Sequence, residues 1–279
     1  GYNTVFMCAW KYREPILDLF EMITGNRNSY AMFKVGGVRR DIEESKIPLI
    51  LKGMSDLKKK LSLLTGAVMD DPVIHARTKG VGVLTKQDVI DYGAVGPTAR
   101  ASGLAIDIRR DDPYAAYPLV NWKVITADTG DVFAKTEVRL LEMFESVSII
   151  EQCLEKIKKE KEGDIAVKVK EIPEGMGTGR AEAPRGEVFH CVFSDGSNSP
   201  ARHKIRAPSY VNIATFKKSC IGQSISDATI TLAAVDPCYC CTERLAAAYD
   251  AGTGSKIYNA RELIEMSVTK TTLLRKPQG

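Results

Sequence analysis

The chain has 279 residues, enough to bury a substantial hydrophobic core as one large domain or two small ones. Its apolar fraction of 44% and charged fraction of 27% are typical of a globular protein. The formal net charge of +4 is too small to indicate a nucleic-acid partner, and no apolar run approaches the roughly 18 residues of a membrane-spanning helix.

The N-terminal half of the chain predicts helices. The first is expected from about Glu14 to Thr24, with Pro15 in its first turn. The clearest helical periodicity runs from Ile50 to Leu64, where apolar residues recur at spacings of three and four and Gly66 follows the end. Residues 78–118 are rich in Gly and Pro, which predicts short helices joined by ordered loops.

The next part of the chain predicts one long helix, from about Asp131 to Lys161, and then an irregular segment or linker over residues 163–186. The buried face of the helix is expected to carry five apolar residues: Met143, Val147, Ile150, Leu154 and Ile157.

The C-terminal third changes in pattern. Two runs of strand-forming residues, 187–193 and 202–206, predict a β-hairpin around Asp195 and Gly196. A helix from about Ser224 to Val235 is expected to lead into a cysteine-rich segment, and a short strand and a last helix are expected after it.

Cysteines are the residues that indicate chemistry. Seven is an odd number, and Cys238, Cys240 and Cys241 lie within four positions, a pattern typical of reduced thiols that bind metal rather than of a disulfide framework. The spacing of Cys238 and Cys241 lets two thiolates converge on one soft metal ion. From the residues alone, half of a structural zinc site, a redox dithiol and buried cysteines without a role are alternatives.

Two of these alternatives have specific requirements. A closed zinc site needs a second pair of ligands, and a thioredoxin-like dithiol would follow a strand, whereas this pair follows a predicted helix. The other candidate ligands are scattered singly along the chain: Cys8, Cys153, Cys191, Cys220, His75, His190 and His203. Spacing alone therefore leaves the role of the pair open.

Longer motifs add a resemblance to a known family. They are FMCAWKYREPILDLFEMITGNR, FKVGGVRRDI, GVGVLTKQDVIDYGAVGPTARASGLAIDIRRDDPYAAY, EAPRGEVFHCVFSDGS, KIRAPSYVN and DPCYCCTER. In this order they resemble the catalytic subunit shared by energy-converting nickel-iron hydrogenases (Ech-type and carbon-monoxide-linked) and, without nickel, by respiratory complex I. The resemblance covers almost the whole chain. It implies an α+β fold that is mostly α, with a helical bundle core and a small antiparallel β element.

The resemblance also implies roles for four residues. The complex I homologue lacks the cysteines, whereas here Cys238 would be a terminal nickel ligand and Cys241 a thiolate that bridges nickel and iron. Arg185 and Asp236 would lie over the open metal position, polarise bound hydrogen and relay protons. The plainer interpretation of these two residues is an ordinary buried ion pair. Cys240 is expected to be a packing residue, because adjacent residues do not readily reach one metal.

Other charged residues and the histidines are expected to have no part in the chemistry. Arg100, Asp107 and Arg109 are expected to shape the domain or to meet partner subunits. The three histidines are interpreted as ordinary surface or core residues.

The family implies an activity and an assembly. The expected activity is reversible proton reduction to hydrogen at a nickel-iron centre with diatomic ligands. Electrons would come from ferredoxin, indirectly, through iron-sulfur clusters in a small subunit, and membrane subunits would translocate ions. The chain would be peripheral, on the cytoplasmic side of the membrane. The alternatives are a nickel-free, complex I-like quinone oxidoreductase subunit and a non-catalytic assembly subunit.

The sequence departs from the family at both ends. An N-terminal RxCGxC ligand motif is absent, and the chain begins at Gly1, so we expect either a fragment or a companion chain that carries this motif. Residues 1–244 would form the hydrogenase large-subunit domain. Residues 245–279 would be a maturation peptide that is cut off just beyond Arg244; a retained tail that packs as a strand and a helix is the alternative.

Overall fold

The computed structural model describes residues 3–160, 163–242 and 247–275. By internal contacts the chain divides into two compact units, Gly1–Pro237 and Cys238–Gly279. The helices and strands follow in this order: α1 (Asn3–Thr24), β1 (Phe33–Lys34), β2 (Gly37–Val38), α2 (Ile47–Met69), α3 (Pro72–Thr78), α4 (Lys86–Tyr92), α5 (Gly96–Arg100), α6 (Ile108–Asp111), α7 (Val132–Ile157), β3 (Glu174–Ala183), β4 (Gly186–Asp195), β5 (Arg202–Arg206), α8 (Pro208–Asn212), α9 (Phe216–Cys220), α10 (Ile225–Ala234), α11 (Tyr239–Thr242), β6 (Ala248–Tyr249), β7 (Lys256–Tyr258) and α12 (Ala260–Leu274). The predicted fold class, α+β and mostly α with small antiparallel sheets, is confirmed.

The core of the first unit is a packing of α1, α2 and α7. The helical period predicted that the apolar residues of α2 share one buried face, and Ile50, Met54 and Leu61 are buried. They pack against Val147 and Leu154 of α7. Burying one such side chain contributes about 1.5–3 kcal/mol, so this periodic face accounts for much of the stability of the bundle.

Three predicted helix boundaries were wrong. Helix α1 begins at Asn3, so Pro15 lies inside it, where a proline removes one backbone hydrogen bond but does not have to end the helix. Helix α2 continues through Gly66 to Met69, because a glycine costs only about 1 kcal/mol inside a packed helix. Helix α7 ends at Ile157, four residues before Lys161.

The predicted buried face of α7 is only partly confirmed. Val147 and Leu154 are buried and Ile157 packs against the core, but Met143 and Ile150 are 37% and 39% exposed. Each of these two borders a cavity, and the two cavities are different.

The region of short helices was predicted correctly. Helix α4 begins with a capping box, in which the Thr85 hydroxyl accepts from the Asp88 amide and the Asp88 carboxylate accepts from the Thr85 amide. Gly93 ends the helix in the left-handed conformation, at φ +63°. These signals involve residues only a few positions apart, and they can therefore be recognised from the sequence alone.

The sheet of the first unit has three strands in the order β3–β4–β5, all antiparallel. The predicted hairpin is present as β4 and β5. The expectation of an irregular segment over residues 163–186 was wrong for residues 174–183, which form β3 and pair with the whole of β4, from Glu174 opposite Asp195 to Ala183 opposite Gly186. Glycine has low strand propensity. The strand was therefore not predicted from a segment that contains Gly175, Gly177 and Gly179.

The second unit contains α11, the antiparallel pair β6–β7 and α12. The Asn259 side chain caps α12 by accepting from the Glu262 amide. The predicted strand and last helix are therefore present. The predicted boundary and cleavage point at residues 244–245 lie outside the described residues and stay predictions. Within the described ranges, no helix combines the length and the apolarity that a membrane crossing requires.

Candidate active site

The turn between β3 and β4 places Arg185 at the candidate site, and its backbone is held by two neighbouring elements. The buried Asn212 side chain donates to the carbonyls of Arg185 and Val95, both at 3.1 Å, and accepts from the Val95 amide at 2.9 Å. Gly96 (φ +68°) passes so close that a Cβ there would lie 2.4 Å from the Arg185 carbonyl oxygen. The position of this turn is therefore fixed by a buried amide and a glycine contact.

The structure brings together Arg185 and Asp236, the two residues that were expected to lie over an open metal position. Arg185 donates from Nη2 to Oδ1 of Asp236 at 3.0 Å and from Nε to the Asp236 backbone carbonyl at 2.8 Å. Asp236 has φ +58°, a left-handed conformation that Asp tolerates better than most residues. The two side chains are 31% and 39% exposed. The pair is therefore accessible, unlike the buried ion pair that was the plainer interpretation.

A second arginine lies beside this pair. Arg139 of α7 donates from Nη1 to the carbonyls of Lys135, at 3.0 Å, and Ala234, at 2.8 Å. Its Nε and Nη2 are buried and have no hydrogen-bond partner within residues 3–160, 163–242 and 247–275. Burial lowers the pKa of Arg139, and the charge of Asp236 opposes this shift. An incompletely satisfied cation therefore lies close to Asp236.

Arg139 and Asp236 border a cavity of about 590 Å³ whose lining is rich in charge. Arg100, only 1% exposed, is its most buried charged group. Arg100 donates to Glu142 at 2.6 Å and to Glu182 at 2.8 Å, and its Nη1 lies 3.4 Å from Asp107. Burial raises the pKa of Glu182, and the charge of Arg100 opposes this shift. One arginine therefore holds together α7, β3 and the start of α6.

Asp107 and Arg109 belong to the same network. Arg109 donates to Asp107 from Nε at 2.9 Å and from Nη2 at 2.6 Å, which is the bidentate geometry that arginine favours with carboxylates. Its guanidinium carbon lies 4.6 Å from the ring centre of Trp122. Both residues thus help to hold the wall of the cavity.

The predicted ligands Cys238 and Cys241 lie in the second unit: Cys241 is on the single turn of α11, and Cys238 is the residue directly before that turn. The Cys238 carbonyl accepts from the Cys241 amide at 3.1 Å and from the Thr242 amide and hydroxyl, each at 3.1 Å. Residues three apart on a helical turn share a face. Both cysteines are half-buried, whereas Cys240 is exposed. The structure therefore puts the predicted pair on one face of the turn.

The donor chemistry of this turn suits a soft metal, but only in part. Thiolates are ligands that nickel, zinc and iron centres accept. Among the residues that the structure describes, no group of three or more His, Cys, Asp or Glu side chains could hold a metal ion. Cys238 and Cys241 are therefore two candidate ligands, fewer than a complete metal site requires.

Four residues at or near the site were not singled out from the sequence: Arg139, Glu142, Glu182 and Asn212. Two of them had a signal, because Glu182 opens the EAPRG motif and Asn212 closes PSYVN. Arg139 and Glu142 lie on a regular helix, where a charged residue is most simply interpreted as solvent-facing.

Comparison with known proteins adds independent findings. The family model for "Respiratory-chain NADH dehydrogenase, 49 Kd subunit" matches residues 1–172 and 164–244. The membrane-bound hydrogenase subunit alpha of Pyrococcus furiosus is 36% identical over 97% of the chain, and the carbon monoxide-induced hydrogenase of Rhodospirillum rubrum is 34% identical over 88%. An NADH-quinone oxidoreductase subunit of Clostridium beijerinckii is 37% identical over 84%. The chain spans 64% to 67% of the length of these three relatives.

Proposed function

Because the chain belongs to the family of the 49-kDa subunit of respiratory-chain NADH dehydrogenase, we propose that it is an oxidoreductase subunit, and specifically the catalytic subunit of an energy-converting, Ech-type nickel-iron hydrogenase. The relatives support the broader statement, since all three are named as hydrogenases or as a quinone oxidoreductase subunit. Their identities of 34% to 37% are too similar to favour one branch over the other.

The observation that favours the hydrogenase branch is the pair of Cys238, directly before α11, and Cys241 within it. A quinone-reducing subunit needs no soft ligands, whereas a nickel-iron centre is held by thiolates. When bound, this centre supplies the redox chemistry that interconverts protons and hydrogen. Cys238 and Cys241 would hold it, and the other ligands would come from an RxCGxC segment outside this sequence or on a companion chain.

The chain's own residues would manage the proton. The Asp236 carboxylate would hold and pass the proton at Oδ2, because Oδ1 already accepts from the Arg185 guanidinium. The two hydrogen bonds from Arg185 fix both the carboxylate and the backbone of Asp236. Arg185 therefore orients the proton carrier and adds a fixed positive charge, and Asn212 holds the turn that carries Arg185.

The proposed assembly follows from this role. The subunit would receive electrons, ultimately from ferredoxin, through iron-sulfur clusters of a small subunit. Ion-translocating membrane subunits would anchor it, peripherally, on the cytoplasmic side of the membrane. The names of the relatives, a membrane-bound hydrogenase subunit and a quinone oxidoreductase subunit, support a multisubunit complex.

A nickel-free subunit that transfers electrons to quinone is the second candidate function. It is supported by the match to the 49-kDa subunit family and by the similarity to the quinone oxidoreductase subunit of Clostridium beijerinckii. A non-catalytic assembly subunit would keep the fold and half of a ligand set.

Hydrogen-dependent reduction of a viologen dye by the assembled, purified complex tests the proposal. We expect activity in the native complex and in the Cys240→Ser variant, and loss of activity in Cys238→Ser and Cys241→Ser. Quinone reduction without any hydrogen-dependent dye reduction would contradict the hydrogenase proposal and support the second candidate.

A further inference from the structure

Two histidines on the three-stranded sheet lie close enough to share one ligand. Nδ1 of His190 on β4 and Nε2 of His203 on β5 are 2.8 Å apart. In the strand register His203 lies opposite Val192, two residues from His190. Residues two apart on a strand point to the same face of a sheet, so both rings lie on the same face.

The surface around this histidine pair is open and offers little steric hindrance. Gly177 and Gly179 of β3 lie on the same face, opposite Val192 and His190, and a Cβ at either glycine would meet nothing within 4 Å. The basic neighbours of His203 on β5, Arg202 and Lys204, extend to the other face because strand residues alternate. A hydrated cation can therefore approach the pair.

We propose that His190 and His203 form a chelating site for a divalent late transition metal such as Ni²⁺ or Cu²⁺, because imidazole nitrogen is a ligand that these ions prefer. The two rings form a hydrogen bond end to end: the facing nitrogens are 2.8 Å apart and the ring centroids are 5.0 Å apart. Binding of the metal would replace this hydrogen bond.

The protonation of the two rings permits this chelation without losing a proton. Each neutral imidazole carries one proton, which either ring nitrogen can hold. When the protons reside on Nε2 of His190 and Nδ1 of His203, both facing nitrogens present a lone pair. The hydrogen bond between the rings is then lost, and each ring must turn away from the line between the two nitrogens to aim its lone pair at one ion.

The site is a two-ligand site, completed by water. No third His, Cys, Asp or Glu joins the two histidines within the described ranges, and Cys191 lies on the other face of the strand. Such a site exchanges its metal, in contrast to the closed cysteine-bound centre of the proposed function. It does not depend on that function.

A titration of the untagged full chain with NiCl₂ tests the proposal, in a Cys238→Ser/Cys241→Ser background that removes the other candidate nickel ligands. The chain has only three histidines, so imidazole NMR signals report each one. We expect Ni²⁺ to shift or broaden the signals of His190 and His203 together and to leave His75 unchanged.

Variants complete the test. His190→Asn and His203→Asn should each weaken Ni²⁺ binding by roughly a hundredfold or more, because the second nitrogen binds intramolecularly. His75→Asn and Cys191→Ser should leave it unchanged, and circular dichroism should show that all four variants fold. An effect on only one of the two rings, or loss of binding in Cys191→Ser, would overturn the proposal.

Discussion

Replacing Arg100 by Met should destabilise the protein far more than replacing any surface arginine. Arg100 is 1% exposed and lies against three carboxylates, those of Asp107, Glu142 and Glu182. Methionine fills a similar volume but leaves Glu142 and Glu182 without their cation in a poorly hydrated site. Removing one partner of a buried ion pair costs about 3–5 kcal/mol, and we expect a loss of this size in the free energy of unfolding.

Arg27 provides a matched control. It also contacts three carboxylates, those of Glu14, Asp18 and Glu21, but its side chain and theirs are exposed. Water screens such pairs, and their contribution to stability is small. Urea denaturation followed by circular dichroism compares Arg100→Met, Arg27→Met and the native chain. Equal losses in the two variants would refute the reasoning that burial makes the Arg100 network important.

The pH dependence of the Arg100→Met variant adds a second readout. Without Arg100 the folded-state pKa of Glu182, already raised by burial, should rise further above its unfolded value. Folding then favours the protonated carboxyl, so the loss of stability is largest above the raised pKa and shrinks as the pH falls through it. A loss that stays constant between pH 7 and pH 5 would show that the orphaned carboxylates are not its cause.

Three further predictions address the site, the buried lysine and the tail. Arg185→Lys should leave the complex assembled and its metal bound but lower hydrogen turnover sharply, because an ammonium cannot make the two directed bonds to Asp236; unchanged turnover would remove Arg185 from the mechanism. Burial lowers the pKa of Lys135 to about 8, so the unfolded chain binds more protons and stability should rise between about pH 8 and pH 10. Lys135→Met should abolish that rise in thermal melts, and an unchanged slope would assign it to another group. Intact mass of the active enzyme should show the tail after Arg244 removed; a retained tail in active material would contradict the maturation prediction.

The elements predicted correctly are those whose signal is local. The apolar period of α2 and the Thr85 and Ser224 capping boxes are written in a few consecutive residues. Strand β3 has no such signal, because glycine occupies three positions where an apolar residue would mark one face of a strand. The strand is recognised only from its pairing with β4. The end of α2 was predicted wrongly because a glycine does not by itself end a helix, and α2 continues through Gly66 to Met69.

The residues of the candidate site likewise fall into two groups, those that sequence motifs identify and those that only the structure identifies. Arg185 and Asp236 could be named from motifs, and the structure joins them across 51 positions of sequence. Asn212 acts through a buried contact with a turn 27 residues away, and Arg139 acts through carbonyl and charge contacts with the segment that precedes Cys238. Neither contact follows from spacing or composition, because both depend on how distant elements pack.

The most direct test of the central claim is the nickel content of the native complex, measured per copy of this chain. The account predicts one nickel in the native complex and in Cys240→Ser, and loss of nickel from folded Cys238→Ser and Cys241→Ser. A native complex that holds no nickel, or that holds zinc at these two thiols, would contradict it.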